Sequence, residues 1–499
     1  MTHAKVGIVD TRPGWRLTAT VLLPFAAGYY LSYVFRTINA LIADALQADA
    51  GLGPGDLGLL TSTYFLAMAV VQLPVGILLD RHGPRRVQSG CLLIAAAGAV
   101  VFGLSHSLLG LLAGRTLIGI GLGAALMAGL KVIVLWVPPA RVASANGWLI
   151  TLGALGAVTA TVPAQGLIAA IGWRGLFLLL AAATVLCAVV VFLVVPDPER
   201  PTNADDRHQP MSLRLIYGDK RFWKLAPMSA VTIGSAWAIQ GLWAAPWLAS
   251  VEGFDRPTVV RHLLVMAIAL CISGLAFGRL AGAARHRGIP AEWLLAGIAI
   301  IGIVAQLAVI LRWPLPSYLL WALMACGGAA TVLSYAILPG YFPKAASGRA
   351  NAALNLLHLT VAFLVQWMSG VIIDLWPSAD GRHPVEAYQA AFAMIAALQG
   401  AAVVWFAFPV VVPVRRSRPL PSRPELLSAV WVVPSDRRYQ DARHVWQTRS
   451  NEAEAQKVLW RRTALCSAIM CGLMIGSVVE AIIGSPLSVH AIAWEEPVR

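Results

Sequence analysis

Charged side chains are scarce in this sequence. Only 12% of the 499 residues are Asp, Glu, Lys or Arg, whereas 58% are hydrophobic and the mean hydropathy is +0.71. A typical soluble domain carries about 25% charged residues. Because a soluble fold of this composition could not cover its apolar surface, we predict that lipid is the solvent for most of the chain.

Groups that build metal or catalytic centres are equally sparse. The six cysteines lie inside apolar runs, and no Cys or His spacing matches a metal site. The sequence shows no clustered Ser/His/Asp set and no phosphate-binding loop. We therefore expect no enzyme activity, no cofactor and no metal. Nor does the net charge of +14 predict nucleic-acid binding, because the basic residues lie between apolar runs, as in the cytoplasmic loops of membrane proteins.

Twelve apolar runs come first, each long enough for a spanning helix of about 20 residues. A polar, proline-containing stretch separates the first six runs from the second six. We predict an all-α polytopic membrane protein with two six-helix bundles, 1–195 and 225–412, joined by a cytoplasmic linker at 196–224. The runs are 17–43, 57–79, 88–105, 108–136, 144–170, 175–195, 225–249, 259–280, 291–311, 317–338, 351–375 and 388–412.

Basic residues are unequally distributed between alternate loops. One set of loops is rich in them and includes Arg141, Lys220 and Arg287, whereas the other set carries few, such as Arg174 and Arg312. Lys and Arg are retained on the cytoplasmic side of membrane proteins. We therefore place both ends of the twelve-helix unit, including the N-terminus, in the cytoplasm, with the helices in an inner (plasma) membrane of the bacterial type.

The chain after these runs has a different character. Residues 413–462 are polar and rich in Pro and Arg, which predicts a cytoplasmic tail, and 463–484 form a candidate thirteenth spanning helix. The stretches 439–446 and 460–462 faintly resemble the cytoplasmic start of a conjugation or type IV secretion inner-membrane subunit. That resemblance implies an alternative function, a membrane assembly or secretion component.

Several charged residues lie close together at the end of the second run, in the segment GILLDRHGPRR at 76–86. The segment resembles the loop signature G-x-x-x-D-R-x-G-R-R of the major facilitator superfamily, and it falls between the second and third helices as in that family. The resemblance covers about 17–412. It implies a secondary transporter whose two bundles rock around a central cavity. The candidate gating residues are Gly76, Asp80, Arg81, Gly83, Arg85 and Arg86.

The motif suggests a latch. Asp80 can accept hydrogen bonds from an arginine and from a helix N-terminus of the facing bundle, and we expect that contact only when the cytoplasmic side is closed. Gly76 would allow close helix approach and Gly83 a tight turn. The matching loop of the second half has Gly282 where the acid would stand, so only one latch can form.

Two arginines lie well inside apolar runs, Arg36 in the first and Arg115 in the fourth. A charged group at the centre of a spanning helix costs about 2.5–3.5 kcal/mol, so it normally faces a cavity or a partner. The twelve runs hold no Asp or Glu deep enough to pair with either arginine. Unpaired cavity cations favour an anionic substrate, and a guanidinium suits a carboxylate. Snorkelling of Arg36 to the outer interface is the alternative.

Other polar and aromatic residues share helix faces with three- and four-residue spacing. His358, a histidine deep in a run, could relay protons, as in a symporter, or be a neutral packing group. The predicted substrate site comprises Tyr29, Tyr33, Arg36, Asn39, Arg115, Trp237, Gln240, Trp243, Asn355 and His358.

The sequence as a whole predicts a monomeric transporter that moves a small organic anion across a lipid bilayer by alternating access. An exporter of amphipathic compounds with the same fold is the first alternative. The assembly or secretion component is the second.

Overall fold

The computed structural model describes most of the twelve predicted runs and their loops. All secondary-structure elements of the described residues are helical. The predicted tail at 413–462, the candidate helix at 463–484 and most of the linker lie outside them. The described ranges are 17–137, 142–196, 213–342, 347–378 and 383–408.

The helices of the N-terminal half follow a π-helical turn at Thr18–Leu22. They are α1 (Leu23–Thr37), α2 (Asn39–Ala50), α3 (Pro54–His82), α4 (Pro84–Leu104), α5 (Leu108–Leu122), α6 (Ala125–Trp136), α7 (Val142–Thr159) and α8 (Val162–Val194).

The C-terminal half contains nine further α-helices within the described ranges, together with a π-helix at Ile239–Trp243 and a 3-10 turn at Leu338–Tyr341. They are α9 (Leu213–Gly218), α10 (Lys220–Ala238), α11 (Ala244–Ser250), α12 (Arg256–His286), α13 (Ala291–Ile310), α14 (Ser317–Ala329), α15 (Thr331–Ile337), α16 (Ser347–Ile373) and α17 (Val385–Ala407).

Local sequence explains several helix ends. Gly51 ends α2 with a φ of 64°, and Gly83 joins α3 to α4 with a φ of 79°, values that favour glycine. Ser107 accepts a hydrogen bond from an amide in the first turn of α5, and Asp219 does the same for α10. Such caps satisfy main-chain donors that a helix N-terminus leaves without a partner.

Ten helices or continuous helix runs in the described ranges are long and apolar enough to cross a membrane, judged by length and composition. They coincide with ten of the twelve predicted runs. The seventh run is divided among α10, the π-helix and α11, and the fifth is also interrupted.

The fifth predicted run, 144–170, does not form one helix. Helix α7 ends at Thr159, and α8 begins at Val162 with Pro163 in its first turn. Proline has no amide hydrogen to donate, so a helix accepts it most readily in its first turn, where that hydrogen would have no partner. Helix α8 bends at Gly172, whose φ is 70°, and this bend separates the fifth predicted run from the sixth.

The two halves meet along two helix pairs, α3 with α16 and α7 with α12. We call the end of the molecule that contains Asp80 the motif end, and the end where α3 begins the opposite end. At the opposite end a Cβ on Gly58 would lie 3.0 Å from the main-chain oxygen of Gln366, and one on Gly370 would overlap Pro54. Glycine therefore allows the two backbones to touch here.

Polar contacts also join the halves at the opposite end. Arg256 of α12 donates to the main-chain oxygen of Leu41 (2.5 Å) and to the carboxylate of Asp44 (3.1 Å). The same guanidinium donates to Gln165 Oε1 at 2.9 Å. Asp374, just after α16, accepts a 2.6 Å hydrogen bond from a main-chain amide at the start of α3. One arginine thus links α12 to three points of the N-terminal half.

Candidate functional site

A small cavity lies between the two halves. Tyr29, Tyr33 and Thr151 line it from the N-terminal half, and Cys271 and Tyr335 line it from the C-terminal half. Two of these five residues, Tyr29 and Tyr33, belong to the predicted site.

Arg36 lies beside this cavity, at the junction of the halves. Its guanidinium carbon is 3.8 Å from the ring centre of Tyr33, one turn earlier in α1, and 4.6 Å from the ring centre of Trp237 in α10. Tyr29 packs edge-on against Tyr33 with ring centres 5.2 Å apart. The predicted face of α1 therefore forms an aromatic wall with one cation on it.

No residue that the structure describes balances the charge of Arg36. Only 9% of the residue is exposed, and its Nη2 has no hydrogen-bond partner within the described ranges. It forms no ion pair with any described carboxylate; the ion pairs observed join residues near helix ends, such as Arg174 with Asp49. A buried cation without a counter-charge is costly, and a bound anion would remove that cost.

Trp237 connects Arg36 to the C-terminal half. Its ring stacks on Phe65 of α3, with centres 6.2 Å apart and planes 9° apart. On another side it meets the ring of His358, with centres 6.1 Å apart and planes 82° apart. Its indole Nε1 has no hydrogen-bond partner. A second unsatisfied donor therefore accompanies the guanidinium.

His358 belongs to a polar network of the C-terminal half. Its Nε2 is 2.9 Å from Ser229 Oγ, and Ser229 Oγ is 2.7 Å from Ser334 Oγ. Tyr335 stacks on His358 with ring centres 5.7 Å apart, and its hydroxyl donates to Asn355 Oδ1 at 2.7 Å. The network brings together helices α10, α15 and α16.

Of the ten predicted site residues, Tyr29 and Tyr33 line the cavity and the other eight do not. Two of these eight, Arg115 and Trp243, are packed inside one half. Arg115 is fully buried inside the N-terminal half, where Nη1 donates to the main-chain oxygen of Phe35 (3.0 Å). Its guanidinium carbon lies 4.9 Å from the ring centre of Phe102 and 5.7 Å from that of Phe177. Trp243 is 2% exposed and donates to a main-chain oxygen of α16 (3.0 Å). Both side chains are packed within one half, although Nε and Nη2 of Arg115 have no hydrogen-bond partner among the described residues.

Asn39 and Gln240 are buried near Arg36. Asn39 begins α2, directly after the short break that follows α1, and its Oδ1 has no hydrogen-bond partner. Gln240 belongs to the π-helix, in which a Cβ on Gly241 would lie 3.4 Å from the main-chain oxygen of Arg36. The π-helix therefore packs on α1 at the level of Arg36, and such segments are frequent at functional sites.

The loop motif does not form the expected latch in this conformation. Asp80 pairs with Lys131 of its own half at 2.6 Å, rather than with an arginine of the facing half, and Lys131 also donates to the main-chain oxygen of Leu79. The tight turn predicted at Gly83 is confirmed by its φ of 79°. Close helix approach at Gly76 is not found, since nothing lies within 4 Å of its Cβ position.

The remaining motif residues lie at the protein surface or against lipid-facing rings. Arg81 and Arg86 are exposed, and the guanidinium carbon of Arg85 lies 4.9 Å from the ring centre of Phe192. In the second half, Gly282 has open space at its Cβ position. The halves are thus joined closely at the opposite end, while these glycines make no close contact at the motif end.

Sequence reasoning missed three residues of the network: Ser229, Ser334 and Tyr335. Ser334 and Tyr335 are adjacent polar residues in an apolar run, which is the only signal the sequence offers. A lone serine in a helix is a poor indicator of function, because its hydroxyl can bond to the main chain one turn earlier. Ser334 does so as well, through Ala330.

The family model of the Major Facilitator Superfamily matches residues 25–310, more than half of the chain. The chain belongs to this superfamily. A solved member of similar fold is the bacterial homologue of the human lysosomal transporter Spinster, in an inward-facing and unoccupied conformation. It is 19% identical, with a TM-score of 0.66, over 79% of this chain and 96% of that one. The predicted all-α, multi-pass fold of the superfamily is confirmed.

Similar sequences carry different substrates. A probable sulfoacetate transporter of Cupriavidus necator is 25% identical over 244 residues, which are 46% of this chain and 56% of that protein. A cephamycin export protein of Amycolatopsis lactamdurans is 37% identical over 136 residues, 27% of this chain and 28% of that protein. The matches thus span about half or less of these relatives, all of which are membrane transporters by name.

Proposed function

We propose that this protein is a secondary transporter that moves a small organic anion across a membrane by alternating access. The observation that carries the proposal is Arg36, a buried guanidinium between the two halves whose Nη2 has no partner and whose charge no described carboxylate balances. A carboxylate or sulfonate bound there would supply both the missing acceptor and the missing charge.

The surroundings of Arg36 orient it for this role. The rings of Tyr33 and Trp237 lie against the guanidinium and supply no carboxylate or carbonyl acceptor for it, so its N–H groups can still donate to a ligand. Trp237 adds an indole N–H without a partner. An anion would therefore meet several donors that are already in position, and no protein acceptor has to be displaced from Nη2 or from the indole.

The contacts between the halves support alternating access. Arg256 and Asp374 join the halves at the opposite end, and Asp80 binds within its own half at the motif end. This conformation would admit a substrate from the motif end. The reverse conformation requires the Arg256 contacts to break, and it would let Asp80 meet the facing half.

The relatives agree with this proposal in part. Sulfoacetate, the substrate named for one of them, bears acidic groups of the kind that Arg36 could bind. The cephamycin export protein favours the second candidate function, export of a larger amphipathic compound past the aromatic wall. The two candidates differ in their need for Arg36, since an amphipathic molecule binds chiefly through its apolar surface.

Uptake of labelled organic acids into proteoliposomes tests the proposal. The panel contains sulfoacetate, succinate, malate and gluconate, with and without an imposed proton gradient. We expect Arg36→Gln to lower the uptake of the preferred acid about a hundredfold, since a charged hydrogen bond is worth about 3 kcal/mol. Uptake by Arg36→Lys should lie between that of the wild type and that of Arg36→Gln. Lysine keeps the positive charge but lacks the planar guanidinium that can form two parallel hydrogen bonds with a carboxylate. Stimulation by the gradient would support symport.

The matched control is Arg279→Gln, an exposed arginine of α12. It should transport like the wild type. Equal uptake by wild type and Arg36→Gln would remove Arg36 from the site. A folded protein that takes up no acid, yet extrudes an amphipathic dye from loaded vesicles, would establish the exporter instead.

A further inference from the structure

Three side chains of the C-terminal half form a hydrogen-bond chain that runs in one direction. Ser334 Oγ donates its single hydrogen to the main-chain oxygen of Ala330 at 3.1 Å. Ser229 Oγ donates its own to Ser334 Oγ at 2.7 Å. A hydroxyl has one hydrogen, so Ser229 Oγ has only lone pairs left for His358 Nε2, 2.9 Å away. His358 must therefore carry its hydrogen on Nε2.

This tautomer determines what the other ring nitrogen can do. In a neutral imidazole with hydrogen on Nε2, Nδ1 is an acceptor and cannot donate. His358 is fully buried, and no described group donates to its Nδ1. The ring is held between the edge of Trp237 and the face of Tyr335. The site therefore contains an acceptor in a fixed orientation that lacks a donor.

The acceptor and the cation both contact one indole ring, that of Trp237. Trp237 contacts the guanidinium of Arg36, with 4.6 Å between the guanidinium carbon and the ring centre. The same ring meets His358 edge-on. Arginine can only donate hydrogen bonds, whereas Nδ1 of this tautomer can only accept one. A ligand complementary to both carries an acid at one end and a hydrogen-bond donor at the other.

We infer that the substrate is a hydroxylated organic anion, whose acid group binds Arg36 and whose hydroxyl donates to His358 Nδ1. The inference rests on the proposed function and names the substrate class of the same site. A hydroxyl is favoured over an ammonium group, because the described residues place no carboxylate at His358 to balance a second cation. His358 is then a specificity-determining residue.

The test compares anions that differ in their hydroxyl groups. The labelled pairs are malate with succinate, and gluconate with hexanoate, each in proteoliposomes of the full-length protein. In the wild type we expect the hydroxylated member of at least one pair to be preferred about tenfold, the value of one hydrogen bond to a buried group. Uptake of sulfoacetate or of the unhydroxylated members without such a preference would overturn the inference and leave the proposed function standing.

Two substitutions at one position separate the roles of the two ring nitrogens. His358→Gln places an amide N–H near the position of Nε2, where it can donate to Ser229, and offers no acceptor near Nδ1. His358→Asn places an amide oxygen near Nδ1 and loses the donor. We expect His358→Gln to abolish the preference, because uptake of the hydroxylated member should fall about tenfold more than uptake of the unhydroxylated member. His358→Asn should retain part of the preference.

Other outcomes have distinct meanings. If both variants lose stimulation by a proton gradient and keep the hydroxyl preference, His358 carries a proton, and the inference is wrong. If neither the wild type nor the variants take up any anion, the proposed function is wrong, and the inference about its substrate class is wrong with it. Ser229→Ala gives an independent check: without its serine acceptor the ring is free to adopt either tautomer, so the preference should fall to an intermediate value.

Discussion

Arg36 and Arg115 look alike in the sequence and differ sharply in the structure. Each is an arginine inside an apolar run, and each is at most 9% exposed. Arg115 donates to the main-chain oxygen of Phe35 and lies against two phenylalanine rings of its own half. Arg36 lies against one ring from each half. Both guanidiniums have nitrogens without a partner among the described residues: Nη2 in Arg36, and Nε and Nη2 in Arg115.

The difference shows what distinguishes a structural charge from a binding charge in a membrane. Both guanidiniums rest on aromatic faces, so cation–π contact alone does not separate them. The two arginines differ in which half supplies the rings. A residue that contacts both halves changes its surroundings when the halves move relative to each other, whereas a residue packed within one half does not. The stability of the fold should therefore depend on Arg115, and transport should depend on Arg36.

The largest effect on stability is expected from removing the structural charge. Arg115→Gln loses the bond to the oxygen of Phe35 and the contacts with both rings, and it should lower the free energy of unfolding by about 2 kcal/mol. Arg36→Gln also loses its contacts with two rings, but it breaks no side-chain hydrogen bond to a described residue, so its stability should fall less than that of Arg115→Gln. Thermal melting in detergent, followed by size-exclusion chromatography, compares the two variants.

The same substitution at two positions makes this a matched pair. The comparison holds if uptake falls most in Arg36→Gln and the melting temperature falls most in Arg115→Gln. A melting temperature that drops equally in both variants would show that Arg36 is a structural residue as well.

A third arginine, Arg256, extends the comparison to a contact between the halves at the surface. Its three partners all belong to the N-terminal half, so Arg256→Gln should shift the conformational equilibrium and leave each half intact. We expect a shift of about tenfold towards an open opposite end, because one charged bond and its neighbours are worth about 1.4 kcal/mol at a partly exposed site.

Spin labels at Leu109 and Leu315, both exposed at the opposite end, would report this shift as a longer distance. Arg261→Gln is the control, since Arg261 bonds only to residues of its own helix. Identical distance distributions in wild type and Arg256→Gln would mean that the glycine contacts between α3 and α16 hold this end closed without Arg256.

Much of the fold was predictable from the sequence because a bilayer imposes a length and a polarity on each helix. The predicted runs erred mainly where proline interrupts α7 and α8, and where the seventh run contains a π-helix. Such breaks depend on main-chain hydrogen bonds that hydropathy does not register.

The candidate site was predictable in part. Tyr33, Arg36, Trp237 and His358 stood out because each is an unusual residue inside an apolar run, and the structure brings all four together. Arg115 stood out for the same reason and lies elsewhere, since the direction in which a helix face points depends on its neighbours. The importance of Ser229 could not be inferred, because it comes from the direction of a hydrogen bond to a residue far along the chain.

The smallest effect is expected at Asp49, the carboxylate partner of a fourth arginine, Arg174. Asp49 accepts hydrogen bonds from the indole of Trp173 (2.9 Å) and from Arg174 (2.5 Å), and these contacts, with the indole first, lower the pKa of its carboxyl. A carboxyl with a lowered pKa in the folded state stabilises the fold fully above its ordinary value, about 4, and loses that contribution as the pH falls through the lowered value.

Asp49→Asn should therefore reduce stability at neutral pH by well under 1 kcal/mol, because the carboxylate is largely exposed and water screens the pair. Melting curves at neutral pH and below pH 4 test this expectation: the gap between wild type and Asp49→Asn should narrow as the acid protonates. A gap of the same size at both pH values would mean that the amide replaces the carboxylate as an acceptor of the indole hydrogen bond, and that charge contributes nothing. The stability contribution of the Asp49–Arg174 pair is therefore the small reference value for the effect of Arg36→Gln on transport. Arg174 already has a carboxylate partner and is partly exposed to water, so it should not bind an anionic substrate, whereas Arg36 has no such partner among the described residues.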